Sequence, residues 1–445
     1  MKQERGASGM ADGSEAVREK EEKKRIRGKA GRILLLVAAA AAVFCVIWLY
    51  YVKSVVPGNE YKKAAAMLAD GNTEEAIAAL SDLEEYIGKN IGRISGTGNA
   101  DELLALGWLY SEGIGVREDQ EKALDYWLRA AEAGSAMAMD HAADHYYEEK
   151  EFSKAAEWYR KAANLGYADA MTALGVMYET GTGVERDYAG AAEWYRKAAD
   201  LGNALAMTNL GSLYESGIGV EQDYAGAAEW YQKGADLGNA LAMTNLGSLY
   251  ESGTGVERDY ARAAEWYRKA AELGNARAMT SLGVMYETGY GVEHDYGRAE
   301  EWYRKAAELG DAGAMTNLGY MYSHGSGVEQ DYAEAVEWYR KAVELGYARA
   351  MTNLGYMYMN GYGVEQDYAK AVEWYRKAAD LGYAFAMNNL AVMYRHGYGV
   401  VQDYQTALEW YGKALEAGFG NAGDAIQEMV RAGNVSAADA AKWLG

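Results

Sequence analysis

AMTNLGSLYESG occupies Ala206–Gly217 and recurs without change at Ala242–Gly253, 36 positions later. Near-copies of this stretch occur five more times along the 445-residue chain. Methionine and tryptophan keep the same spacing at Met171, Met207, Met243, Met279, Met315, Met351 and Met387 and at Trp158, Trp194, Trp230, Trp266, Trp302, Trp338, Trp374 and Trp410. A fixed period of this length is typical of a solenoid, in which stacked helical units share one core.

Each unit contains two helical patterns. Apolar residues at i, i+4, i+7 and i+8 from Ala206 to Tyr214 predict a first helix, helix A, and the same kind of stripe from Ala227 to Ala235, with Trp230 on it, predicts helix B. Gly211 lies on the stripe of helix A and lets the next helix approach closely. In the connecting loop, Gly217 suits a left-handed helix end and Asp223 suits the N-cap of helix B.

The Gly-x-Gly loops also invite comparison with phosphate-binding motifs. They lack the lysine of a Walker loop and the third glycine of a dinucleotide fingerprint, so helix capping is the favoured interpretation. The chain carries a formal charge of −21. Residues 1–53 are basic, with 11 Lys and Arg against 6 Asp and Glu, which leaves the remainder strongly acidic. An acidic body repels phosphate backbones, so no nucleic-acid partner is expected.

Residues 33–52, ILLLVAAAAAVFCVIWLYYV, contain no charge and are long enough to span a bilayer as a helix. Eight basic residues between Arg18 and Arg32 precede this segment, which predicts a cytoplasmic tail at 1–32 and an extracytoplasmic body. A short linker is predicted at 53–59. A cleaved signal peptide is the alternative, and lipidation of Cys45 is disfavoured because the bulky Phe44 precedes it.

The strongest enzymatic candidate is the sequence HAADH, in which His141 and His145 stand one helical turn apart and could share a metal ion with Asp144. Because both histidines replace ordinary repeat residues, we expect neither a bound metal nor a cofactor. Residues 203–238 and 239–274 differ at only six of 36 positions. A catalytic site needs unlike groups at one place, so near-identical copies predict no catalytic residues and an extended surface instead.

The order A-x-A-M-x-N-L-G-x-x-Y, G-x-G-V-x-x-D and A-x-x-W-Y-x-K-A-A-x-x-G resembles the Sel1-like repeat family, a relative of the tetratricopeptide repeat. The resemblance covers residues 103–418 in nine units, of which 135–166 is four residues shorter and lacks the glycine loop. It implies an all-α, right-handed α/α superhelical solenoid with helix A lining the concave face. Residues 60–102 resemble a tetratricopeptide-like capping hairpin with a connector, and 419–445 predict C-terminal capping helices.

The predicted partner-binding residues lie on helix A. In related peptide-clamping domains an asparagine ladder holds the backbone of an extended peptide, and the equivalent ladder here includes Asn209, Asn245, Asn317, Asn353 and Asn389. The alternative is that each amide bonds to a neighbouring repeat. Adjacent columns become aromatic and basic in repeats 312–418 and add Tyr320, Tyr356, Arg349, Phe385 and Arg395.

These patterns predict a non-enzymatic scaffold, tethered to a membrane through residues 33–52, that binds a protein or an extended peptide segment. By the family resemblance, a bacterial cell envelope is the expected location. Two alternatives stay open: a hydrolase of the β-lactamase-like type, and a surface protein that binds a host factor. The relatives of the hydrolase type are cysteine-rich in their repeats, whereas this repeat region has no cysteine.

Overall fold

The computed structural model describes residues 57–69, 72–82, 91–92 and 95–444. Within these ranges the chain forms 22 α-helices and no β-strand, as the all-α prediction requires. The helices form two compact units, one ending at Glu221 and the other starting at Gln222. Each unit is a stack of antiparallel helix pairs, in which helix A packs on helix B of its own repeat and helix B packs on the next helix A.

Within its described residues, the first unit contains nine helices. They are α1 (Pro57–Ala69), α2 (Thr73–Asp82), α3 (Ala100–Glu112), α4 (Gln120–Glu132), α5 (Ala136–Glu148), α6 (Phe152–Asn164), α7 (Ala168–Thr180), α8 (Tyr188–Asp200) and α9 (Ala204–Ser216). Helices α1 and α2 pack as a hairpin against each other, and α1 also contacts α3.

The second unit continues the alternation of helix B and helix A. Its helices are α10 (Tyr224–Asp236), α11 (Ala240–Ser252), α12 (Tyr260–Glu272), α13 (Ala276–Thr288), α14 (Tyr296–Glu308), α15 (Ala312–His324), α16 (Tyr332–Glu344), α17 (Ala348–Asn360), α18 (Tyr368–Asp380), α19 (Ala384–His396), α20 (Tyr404–Glu416), α21 (Asn421–Arg431) and α22 (Ala437–Leu444). The last two helices pack against α20 and each other at the end of the array.

The glycine loops cap the helices as the sequence predicts. Gly217 ends α9 with φ of 71°, and the side chain of Asp223 accepts a hydrogen bond from the backbone N–H of Gly226 at the start of α10. The short repeat has no glycine here, and Lys150 takes the left-handed conformation with φ of 61° in its place. Loop chemistry therefore sets the helix boundaries in nearly every repeat.

The core of five of the described helix pairs contains a contact between a glycine on helix A and a tyrosine on helix B. A Cβ atom built on Gly283 would lie 2.5 Å from Cε1 of Tyr303, whose side chain is fully buried. The prediction that this glycine column permits close approach is confirmed, because the space is occupied by the aromatic ring. Tyrosine thus fills the position that holds helix B against helix A.

The tryptophan next to each of these tyrosines is less buried than its apolar stripe predicts. Trp230 is half-buried, and the ammonium of Lys233, one turn later, lies 3.9 Å from the centre of its ring. The same Lys over Trp pair recurs in the other repeats. A tryptophan has too much surface to share the space beside tyrosine, so the lysine stem covers its outer face.

One boundary of the predicted linker is wrong. Helix α1 begins at Pro57, so 57–59 belong to a helix, because the fixed φ of proline and its missing N–H are tolerated in the first helical turn. The predicted tail at 1–32, the segment at 33–52 and the rest of the linker lie outside the described residues. Among the helices that the structure does describe, none is long and apolar enough to cross a bilayer.

Candidate binding surface

Aromatic and basic side chains lie exposed on the A helices of the second unit. Helix α17 contacts both α15 and α19, so these three helices bring their outer residues onto one face. Tyr320 is 40 % exposed, Tyr356 is 48 % exposed and Phe385 is 55 % exposed. Arg349 and Tyr347, at the start of α17, are also exposed. We call these five residues the aromatic surface.

Ring contacts link members of this surface to aromatic side chains around it. The ring of Tyr320 stacks on His324 with centroids 3.9 Å apart, and the ring of Phe385 lies 5.7 Å from Tyr383 and 4.9 Å from Phe419. Burial raises the pKa of Tyr383, and the positive charge of Arg349 on the preceding helix A opposes this rise. The guanidinium of Arg349 therefore lies close to the aromatic groups of the neighbouring repeat.

Sequence reasoning missed Tyr347 and Tyr383. Both stand at the N-cap of a helix A, where Asn239, Asn275 and Asp311 accept a backbone hydrogen bond in other repeats. Neither tyrosine makes a side-chain capping bond. The signal was available in the sequence as a change from Asn or Asp to Tyr at a capping position.

The predicted asparagine ladder has partners within the array. Asn209, Asn317 and Asn353 are half-buried, and each lies close enough to a buried tyrosine on helix B of the preceding repeat to oppose the rise in pKa that burial causes in that tyrosine. Asn245 is equally half-buried, and Asn389 accepts a long hydrogen bond from Asn388. Bonding to a neighbouring repeat was the alternative interpretation, and the structure places three of the five amides near such a tyrosine. That the ladder also binds a peptide stays a prediction.

Arg395 lies away from the open surface. Its column faces the hydroxyl of the buried helix-B tyrosine, so in an earlier repeat Glu287 accepts a 2.6 Å hydrogen bond from Tyr303. In the last repeat Arg395 replaces this glutamate, opposes the rise in the pKa of the buried Tyr411, and forms a 2.9 Å ion pair with Glu428 on α21. The arginine therefore joins the capping helix to the array. Its role in partner binding stays a prediction.

The HAADH motif is only partly assembled. His141 and Asp144 lie close together, with Nδ1 of the histidine 3.8 Å from Oδ2 of the aspartate. His145 takes no part in this group, and its ring contacts Tyr146 instead. Asp140, which the sequence did not single out, brings a third ligand atom within 4.8 Å of the other two.

The repeat region matches a known protein family in sequence. A family model described as the Sel1 repeat matches residues 103–135, 145–167, 168–203, 204–239, 240–275, 276–311, 312–347, 348–383 and 384–419. An F-box protein of Arabidopsis thaliana is 42 % identical over 77 residues, which span 17 % of this chain and 22 % of that protein. The chain thus matches about a fifth of this relative's length.

Two solved structures are similar in both sequence and fold. One is c5321, a protective antigen of uropathogenic Escherichia coli strains that displays an SLR fold, with 33 % identity over 78 % of this chain and 83 % of that chain and a TM-score of 0.56. The other is a Sel1 repeat protein from Oxalobacter formigenes, with 35 % identity over 54 % of this chain and 99 % of that chain and a TM-score of 0.52.

Proposed function

Because the chain belongs to the Sel1 repeat family, whose repeats generally bind proteins, we propose that it is a non-enzymatic scaffold. It binds a protein or an extended peptide segment on the face formed by its A helices. In this proposal the array is a right-handed superhelix, and the aromatic surface lies on its concave side.

The observation that carries this proposal is the loss of side-chain N-caps at two A helices, one within the aromatic surface at Tyr347 and one beside it at Tyr383. Replacing an Asn or Asp N-cap costs about 1 kcal/mol of stability in a typical helix. Tyr347 and Tyr383 give up this bond in consecutive repeats, as Tyr167 does in the first unit, and the ring of Tyr383 lies beside Phe385 and near Arg349. Places where a local rule is broken in this way are commonly functional sites, and Tyr and Arg are the residues most enriched at interface hot spots.

Membrane tethering through residues 33–52 is part of the same proposal. It is supported by the uncharged length of this segment and by the basic residues before it, which favour a cytoplasmic N-terminus and an extracytoplasmic repeat region. The similarity to a protective antigen favours a second candidate, a surface protein that binds a host factor through the same face. Recovery of the full chain in carbonate-washed membranes, and its release when 33–52 are deleted, tests the anchor.

Site-specific photo-crosslinking tests the binding face. A photoreactive phenylalanine analogue at Tyr356 should crosslink to one discrete partner in cells, and the captured partner can then be identified and purified. Affinity for this partner should fall by about 30-fold when Phe385→Ala removes a hot-spot side chain, which corresponds to roughly 2 kcal/mol. Asn353→Ala tests the ladder separately, because it leaves the aromatic surface intact.

The matched control is Tyr290, which is 56 % exposed and stacks on Tyr260 at the loop edge of the array. The analogue at Tyr290 should give no specific crosslink, and Tyr290→Ala should leave the affinity unchanged. Equal crosslinking at Tyr356 and Tyr290, or an affinity that Phe385→Ala does not alter, would show that the partner binds elsewhere.

A further inference from the structure

Helix α5 differs from the other A helices at three positions that cluster in space. The fifth, sixth and ninth residues of α9 read Thr, Asn and Ser, whereas those of α5 are Asp140, His141 and Asp144. Three neutral side chains are thus replaced by two carboxylates and one imidazole. These groups are all potential metal ligands, and one atom from each lies within 4.8 Å of the others.

Asp140 occupies a buried position that normally holds threonine. In other repeats this threonine satisfies its own hydroxyl, as Thr172 does by donating a 2.9 Å hydrogen bond to the carbonyl oxygen of Ala168. An ionised carboxylate has no proton to donate in this way. Asp140 is only 7 % exposed, and among the residues that the structure describes no donor contacts its carboxylate. A buried, unpartnered acid of this kind needs a cation or a proton.

The charges around Asp140 also favour a bound cation. The carboxylates of Asp144 on the same helix and of Asp169 on α7 are the charged groups that act on the buried Asp140. Both charged groups that act on it are negative. The aspartate therefore faces like charges from its own helix and from α7, which is the arrangement that a bound cation stabilises.

His141 presents one nitrogen to this group and buries the other. Its ring lies 5.0 Å from that of Trp108 and 5.3 Å from that of Trp127, and its Nε2 is buried with no hydrogen-bond partner in the described part of the chain. Nδ1 lies 3.8 Å from Asp144, which is too long for a hydrogen bond. Two ligands of a tetrahedral zinc ion stand about 3.3 Å apart, so a small movement would let both groups share an ion.

Asp144 is held in place from the neighbouring helix. The hydroxyl of Tyr159 on α6 donates a hydrogen bond to Oδ1 of Asp144 and leaves Oδ2 on the side of His141. Hydrogen bonds of this kind orient metal-binding carboxylates in known sites. The Asp144 side chain is 53 % exposed, so the group opens to solvent at this point.

We propose that Asp140, His141 and Asp144 form a binding site for a divalent transition-metal ion, with zinc as the best match to one imidazole and two carboxylates. Three protein ligands leave a fourth position open to water beside Asp144. This proposal differs from the expectation of no metal because Asp140, rather than His145, completes the ligand set.

The test uses the full-length protein, stripped with EDTA and titrated with ZnCl₂ by calorimetry in the presence of a competing chelator. Wild-type protein should bind one zinc ion tightly, and Asp144→Asn should weaken binding at least tenfold. The triple change Asp140→Thr, His141→Asn and Asp144→Ser restores the residues that α9 carries at these positions. It should therefore fold and lose the tight site, while Asp236→Asn, a change outside the cluster, should keep it.

Cobalt(II) gives an independent readout. Bound in place of zinc, it should produce ligand-field absorbance in the wild type and none in the triple variant. Unchanged zinc affinity in a folded triple variant would overturn the proposal, as would a wild-type protein that takes up no zinc at micromolar concentration. Neither result bears on partner binding at the aromatic surface, so the two proposals are tested separately.

Discussion

The contact between glycine and tyrosine that recurs in five helix pairs gives a sharp prediction for Gly283→Ala. The new Cβ atom would lie 2.5 Å from Cε1 and 2.7 Å from Cδ1 of Tyr303. Ordinary carbon contacts are about 3.5–4.0 Å, so the ring or the helix must move by about 1 Å. The ring has little free space, because Tyr303 is fully buried and its hydroxyl is bonded to Glu287.

The size of the effect follows from opposing terms. Overpacking of a core costs about 1–3 kcal/mol, and weakening the Tyr303 hydrogen bond adds about 1 kcal/mol. Replacing a helical glycine by alanine returns about 1 kcal/mol of helix propensity. Ala391 occupies the equivalent position of α19 opposite Tyr411, so a helix pair can accommodate the methyl group when its spacing adjusts. The expected net loss of stability is therefore about 1–2 kcal/mol.

Hydrogen exchange and urea unfolding measure this loss. Peptides from α13 and α14 should exchange faster in Gly283→Ala, with smaller changes in distant repeats, because solenoid stability is carried by neighbour contacts. Gly297→Ala is the matched control, since its Cβ meets only the Asp295 side chain at 3.3 Å and other repeats carry alanine there. It should raise stability by about 0.5 kcal/mol. A Gly283→Ala protein as stable as the wild type would refute the proposed steric role of this glycine.

Three further predictions concern contacts at the surface of the second unit. Arg395 lowers the pKa of Glu428, so the ion pair stabilises α21 at pH values above the ordinary pKa of the carboxyl, and this stabilisation is lost as pH falls through the lowered pKa. The rate of hydrogen exchange in α21 should therefore rise on acidification in the wild type and much less in Glu428→Gln. Asp331→Ala removes the acceptor of two backbone N–H groups at the start of α16 and should lower the free energy of unfolding, measured with heat or urea, by about 1 kcal/mol. An unchanged stability would mean that water replaces the cap. Lys377→Gln removes the ammonium that lies 4.1 Å from the centre of the Trp374 ring. The change should lower the free energy of unfolding by about 0.5 kcal/mol and alter the tryptophan emission. An unaltered emission spectrum would show that the pair does not persist in solution.

The helices were predictable because their signals are local. Glycine at the end of helix A and aspartate at the start of helix B act through their own backbone, and the structure places Gly217 and Asp223 in these roles. The order of burial within helix B was not predictable in the same way. Trp302 and Tyr303 are adjacent on one apolar stripe, and the gap left by Gly283 on helix A decides that the tyrosine is the one buried.

The candidate sites depended more on tertiary contacts. Arg395 has the composition of an interface residue, but the structure pairs it with Glu428, which lies 33 positions later in the sequence. Asp140 is unremarkable in sequence and becomes important only because burial and α7 place it beside other carboxylates. Tyr347 could have been found, since the loss of an asparagine cap is visible in the sequence once the repeat is aligned.

The repeated glycine and tyrosine contact also bears on how this protein could change over evolutionary time. Gly247 meets Tyr267 in one pair, and Gly283 meets Tyr303 in the next through nearly the same geometry. Recombination between two such copies would add or remove 36 residues in frame and rejoin surfaces that already fit. Natural variants should therefore differ in length by whole units of 36 residues. Each added or lost unit would change the length of the helix stack, while the rejoined helices keep a contact that has already been selected.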